Sequence, residues 1–76
     1  MAQWDHVDKY TTVIRWSEED QSFIAAIPAL PGCIADGATR EEALDNLNTT
    51  AELWILKARK MGREVPKPDY EEVFAA

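Results

Sequence analysis

Cys33 is the chain's one thiol and His6 its one imidazole. Nucleophilic catalysis needs a poised base held against the nucleophile by a further group. His6 lies far from Cys33 in sequence, in a segment without periodic pattern, and is read as a solvated residue. Cys33 follows a turn glycine and enters a strand, the setting of a buried structural cysteine. Carboxylates are more plentiful: Asp20, Asp36, Glu41, Glu42, Asp45 and Glu52. Metal-dependent phosphoryl cleavage requires several of them to converge on ions from rigid strands. Asp20 instead falls in a turn, Asp36 at a strand end and the others along a helix start, where capping and solubility account for them. There is no Gly-rich phosphate loop, no CxxC and no HExxH. The basic cluster from Lys57 to Arg63 falls at a helix end, where cations complement the dipole. The expectation is a protein with no catalytic residues, no metal ligands and no cofactor.

The elements that place these residues can be read in order. Residues 1–8 carry no pattern and form a loose lead-in, with Trp4 free to dock elsewhere. Lys9 to Ser17 is β-branched and aromatic, with Tyr10, Thr12, Ile14 and Trp16 on one side at period two. The polar loop Glu18 to Gln21 and a second strand, Ser22 to Ile27, complete a hairpin. A four-residue loop sets Trp16 opposite Phe23 and Ile14 opposite Ala25, on the face that becomes the core. Val13, Arg15, Ile24 and Ala26 then share the second face.

Pro28-Ala29-Leu30-Pro31-Gly32-Cys33 follows. Two prolines three apart forbid a helix and interrupt strand pairing. Gly32 lets the chain turn back into the sheet. Cys33 to Asp36 is a short third strand ended by Gly37. Thr39-Arg40-Glu41-Glu42 is a capping box, in which Glu42 reaches back to the Thr39 N–H. The spacing predicts a helix from Arg40 to Met61, stopped at Gly62. Its inward stripe is Leu44, Leu47, Ala51, Ile55 and Ala58, with Ala43, Trp54 and Met61 at the edge. Leu53 and Leu56 lie on the far side among Asp45, Thr49, Glu52 and Lys60, and are the candidate protein-interface residues. The tail Arg63 to Pro68 is extended and adds a short fourth strand. The fold class is therefore α+β: a small three- to four-stranded, mainly antiparallel sheet with one long helix on one face. Residues 9–70 form the domain and 71–76 a C-terminal tail.

Composition bounds the partners. With 76 residues there is room for one domain, and a domain this small has a marginal core. A single cysteine allows no internal disulfide, and one cysteine with one histidine makes no zinc site. Association is the remaining remedy, so a homo-oligomer, a dimer or tetramer, or a partner protein is expected. The net charge of −6 repels phosphate backbones and argues against direct nucleic-acid binding. It suits a basic partner, including one that itself binds RNA. No apolar run approaches the ~20 residues of a membrane span. The polar start MAQWDHVDK lacks the apolar core of a signal peptide. With an unpaired thiol, this places the chain in the cytoplasm.

The string IPALPGCIADGATREEALDNL, Ile27 to Leu47, resembles the signature of HicB-like antitoxins. In it a strand runs into P-x-LPG-C (Pro28, Leu30, Pro31, Gly32, Cys33), then a short strand, then G-x-T-x-EEA (Gly37, Thr39, Glu42) and a helix. The flanks SEEDQSF and GREVPKP are similar too, so the resemblance covers Tyr10 to Pro68. It implies a partial ribonuclease-H-like fold without that fold's catalytic carboxylates. It also implies a role: neutralising HicA, a small basic RNA-cleaving toxin, by covering it. Many members carry an additional DNA-binding module, for which 76 residues leave no space, so operator binding is not expected of this chain. Two other readings stay open. One is a self-associating domain with a different protein client. The other is a metal-dependent ribonuclease using Asp20 and Asp36.

Overall fold

The computed structural model describes residues 7–67. A short 3-10 turn over Val7–Lys9 leads into strands β1 (Val13–Ser17), β2 (Ser22–Ala26) and β3 (Ile34–Gly37), followed by helix α1 (Arg40–Lys60). The three strands form one antiparallel sheet in the order β1-β2-β3. The expected hairpin register is present: Trp16 pairs with Phe23 and Ile14 with Ala25. Its four-residue loop is closed by Ser17, whose hydroxyl accepts from the Asp20 N–H (3.2 Å) and donates to the Asp20 carboxylate (3.1 Å).

Strand β1 is shorter than its composition suggests. Tyr10 is not a strand residue; the 3-10 turn ends on it, its N–H donating to the Val7 carbonyl at 3.2 Å. Its ring is buried and its hydroxyl donates to the Pro66 carbonyl. That contact also explains the tail. Among the described residues the sheet has three strands, and residues 63–67 do not form the expected fourth. Pro66 has no N–H to give a ladder. The segment is instead fixed by Tyr10 and by Val65, which packs on the core.

The Pro-x-Leu-Pro-Gly-Cys segment is two consecutive β-turns. The Leu30 N–H donates to the Ile27 carbonyl (3.0 Å) and the Cys33 N–H to the Leu30 carbonyl (2.9 Å). Pro28 and Pro31 each stand at the second position of a turn, where their fixed φ is already correct. Gly32 follows Pro31 at φ +81°, the left-handed conformation a type II turn demands. The Ile27 N–H to the Cys33 carbonyl (3.2 Å) closes the loop. Ile27, Leu30 and Cys33 point inward and are buried. Cys33 therefore belongs to the turn, and β3 begins one residue later than expected.

Helix α1 starts as its capping box requires: the Thr39 hydroxyl accepts from the Glu42 N–H at 3.0 Å. The Glu42 carboxylate reaches one residue further back than expected, accepting from the Ala38 N–H at 2.7 Å. The helix ends in a Schellman arrangement, with the Gly62 N–H on the Arg59 carbonyl and the Arg63 N–H on the Ala58 carbonyl. Thr39→Ala should cost about 1 kcal/mol, a fall of roughly 4–8 °C in Tm for a domain this size, checked by a thermal melt.

The helix covers mostly β3 and β2. Only Ala38 and Thr39 separate β3 from α1, so the first turn must lie over β3. Its buried residues are Ala43, Leu47, Ala51, Ile55 and Ala58. Leu44 and Met61, assigned to the stripe or its edge, are exposed, while Ala43 is fully buried. The inward face is thus rotated from the one the leucines alone suggest, because small residues allow the closest approach to the sheet. Trp16 stays 41% exposed although it is on the helix side, since α1 barely reaches β1. It packs edge-on to Phe23 (ring centroids 5.0 Å apart) and donates its indole N–H to Glu18 at 3.0 Å.

Candidate functional site

Two surfaces stand out, on opposite sides of the molecule. The first is the outward side of α1. Residues 49, 53, 56 and 60 recur at helical spacing and point away from Leu47 and Ala51. Leu53 is 61% and Leu56 53% exposed, as their position off the stripe predicts. Asp45 and Glu52 lie to the N-terminal side of this pair, and Lys57, Arg59 and Lys60 to the C-terminal side. Two large apolar side chains are therefore centred on an exposed polar helix face. Beside them a depression of about 210 Å³ is lined by Trp54, Lys57, Ala58, Met61 and Arg63. The basic cluster thus forms part of a surface as well as complementing the dipole in the last turn.

The second surface is the sheet face that α1 leaves uncovered. Alternation puts Ile14, Phe23, Ala25, Ala35 and Gly37 toward the helix and their neighbours away from it. One row of the uncovered face is Val13, Ala26 and Ile34; the next is Arg15, Ile24 and Asp36. Val13 is 49% and Ile34 56% exposed, with Ile24 and Ala26 half-buried. Ile34 was not singled out by sequence reasoning. The signal was available in β3, where Ile34 and Asp36 alternate with the small residues Ala35 and Gly37, but β3 is too short for the period to declare itself.

The residues weighed for chemistry are placed as follows. Cys33 is buried, and desolvation pushes its thiol pKa up, so it stays protonated and a poor nucleophile. Burial likewise raises the Tyr10 hydroxyl. His6 and Trp4 lie outside the described residues. Asp20 and Asp36 do come together: with Ile24, Ile34 and Ala35 they line an open depression of about 300 Å³ on the uncovered sheet face. Among the described residues no three His, Cys, Asp or Glu side chains gather as ligands for an ion. Pro28, Leu30, Pro31, Gly32, Cys33, Gly37, Thr39 and Glu42 shape turns, a close approach and a helix cap. Among the described residues no helix is long and apolar enough to cross a membrane.

Residues 11–66 match the model of a family described as UPF0150-like. The chain is 35% identical over 65 residues to the UPF0150 protein Ta0767 of Thermoplasma acidophilum, spanning 86% of this chain and 93% of that protein. It is 41% identical over 49 residues to the UPF0150 protein ssl0259 of Synechocystis, spanning 64% of this chain and 67% of that one. A second Synechocystis protein, ssr1765, is 38% identical over 58 residues, spanning 76% and 73%. No solved structure matches.

Proposed function

The chain belongs to the UPF0150-like family, and from that premise we propose that it is an antitoxin-type binding protein without enzymatic activity of its own. It neutralises a small basic RNA-cleaving toxin of the HicA type by covering it, and it does so in the cytoplasm, where an unpaired thiol is stable. The observation that carries this reading is the pair Leu53 and Leu56, exposed at the centre of the outward face of α1. Two adjacent exposed leucines ringed by polar and charged side chains give an apolar centre with a polar rim, the layout of a protein interface. Two further features support it. Ile27 to Leu47 resembles the HicB-like signature, and a partial ribonuclease-H-like frame, which that resemblance implies, would begin with an antiparallel β1-β2-β3 sheet followed by a helix, the order this chain has. The charge of −6 would steer a basic partner toward the chain and speed encounter.

The test is reconstitution. A HicA-type toxin incubated with RNA should lose its cleavage when this chain is added in equimolar amount, and the two should co-elute. Leu53→Asp and Leu56→Asp should each raise Kd at least about tenfold, since a charge facing an apolar pocket is desolvated without a partner. Both variants should keep wild-type circular dichroism. Full toxin activity in the presence of excess wild-type chain would sink the proposal. The ribonuclease reading draws on Asp20 and Asp36 sharing one depression. It predicts RNA cleavage by the chain alone with Mg²⁺ or Mn²⁺, abolished by Asp36→Asn.

A further inference from the structure

We infer that the uncovered sheet face is where two copies of this chain associate, sheet against sheet, about a two-fold axis running along β2, with Arg15 of each copy seated in the depression between Asp20 and Asp36 of the other. This is independent of the toxin-binding reading, which uses the opposite side of the molecule.

The argument starts from the core. Among the described residues the large side chains that are fully buried are Ile27, Leu30 and Leu47; the rest of the buried cluster is Tyr10, Cys33 and Ile55 with the small residues Ala25, Ala43 and Ala51. A core this light leaves a small domain marginal, and burying further apolar surface against another chain is one way to offset that. The uncovered face offers such surface in Val13, Ile24, Ala26 and Ile34. Strand β2 lies in the middle of the sheet, with β1 and β3 on either side.

The charges decide which occupant fits. Arg15 on β1 and Asp36 on β3 occupy the same row, on either side of Ile24. Their strands are about 10 Å apart. A two-fold axis along β2 exchanges β1 with β3 and keeps each row in place. It therefore sets Arg15 of one copy over Asp36 of the other, twice per dimer. Val13 meets Ile34, and Ile24 and Ala26 each meet their own counterpart. Every contact in this arrangement is apolar on apolar or cation on anion, as an isologous interface requires. The other in-plane axis, across the strands, keeps each strand over itself and brings the charged row onto the apolar row. Arg15 would then face Val13, and Asp36 would face Ile34, burying charge without a partner.

The depression completes the fit. Its volume of about 300 Å³ leaves room for an arginine side chain, and Ile24, Ile34 and two carboxylates line it. The aliphatic stem lies on isoleucine and the planar fork meets oxygen acceptors. The loop from Glu18 to Gln21 holds Asp20 in place through Ser17. The patch measures roughly 14 by 16 Å, well below the area of a standard specific interface, which places the dimer among weak, transient associations. Association is accordingly concentration-dependent.

Sedimentation equilibrium on the full chain, from low micromolar to about 1 mM, tests this. The wild type should pass from monomer to dimer across the range. Arg15→Asp and Asp36→Arg should each raise the dimer Kd at least about tenfold, and the double exchange should recover most of the loss, with circular dichroism unchanged throughout. The gentler Arg15→Gln and Asp36→Asn should weaken the dimer in the same direction, so that an unfolded reversal variant still leaves a reading. Leu53→Asp should leave the dimer intact. A wild type monomeric at the highest concentration overturns the inference. So does a dimer indifferent to Arg15 and Asp36, one lost on Leu53→Asp, or single-variant defects that the double exchange does not repair.

Discussion

Leu47→Asp is expected to leave the chain unfolded at room temperature, while Leu53→Asp, on the outward face of the same helix, leaves it folded. Leu47 is fully buried, packed among Ala25, Ile27 and Leu30 in the core cluster. Removing the leucine side chain alone forfeits about 3–5 kcal/mol when the surroundings do not collapse. A carboxylate placed there adds the cost of a polar group without a partner, at least another 1–3 kcal/mol. The sum equals or exceeds the roughly 3–5 kcal/mol that a core of this size supplies. Leu53 stands in solvent, so the same substitution removes no packing. Far-UV circular dichroism with a urea titration separates the two. A cooperative transition of wild-type midpoint in Leu47→Asp would mean that the inward face of α1 has been assigned to the wrong residues.

Gly37→Ala is the second large effect, and it arises from space rather than conformation. A methyl group at this position would lie 2.4 Å from the Ala43 nitrogen, 2.8 Å from the Glu42 carbonyl carbon and 2.9 Å from the Ala43 Cα. All three are backbone atoms of the first turn of α1, so no side chain can swing aside. The helix start would have to lift off β3, straining the two-residue link and the Thr39 cap. Overpacking of this kind costs roughly 1–3 kcal/mol, a large share of a small domain's stability. Gly32 provides the control. A methyl there meets nothing within 4 Å, but the backbone sits at φ +81°. Gly32→Ala should cost only about 1–2 kcal/mol, the price of a left-handed residue, and Gly32→Asn less. Urea midpoints on the three variants check the order. If Gly37→Ala melts with the wild type, α1 does not approach β3 as closely as described.

Much of the fold is legible in local chemistry. The hairpin register follows from a four-residue loop and the alternation of Ile14, Trp16, Phe23 and Ala25. Both helix ends follow from Thr39, Glu42 and Gly62. The exposure of Leu53 and Leu56 follows from their angle to Leu47, since a rigid helix carries phase from one turn to the next. These features depend on neighbours within a few residues, whose geometry the backbone dictates.

Other features were settled only by contacts between residues far apart in the chain. Tyr10 lies outside the strand with its hydroxyl on the Pro66 carbonyl, and residues 63–67, of which Val65 packs on the core, do not pair as a strand. Ala43 replaces Leu44 in the core because the tight turn after Gly37 presses the first helical turn onto β3, where only small residues fit. Trp16 stays half in water because that same turn draws the helix away from β1. The depression that Asp20 and Asp36 both line, and the row that runs from Arg15 through Ile24 to Asp36, exist only once β3 lies next to β2. Sequence spacing determines the angle and register of each element, because those are properties of one backbone segment. Which faces touch, and which remain open for another chain, depends on the distance at which α1 and the sheet come to rest, and that is a property of the packed whole.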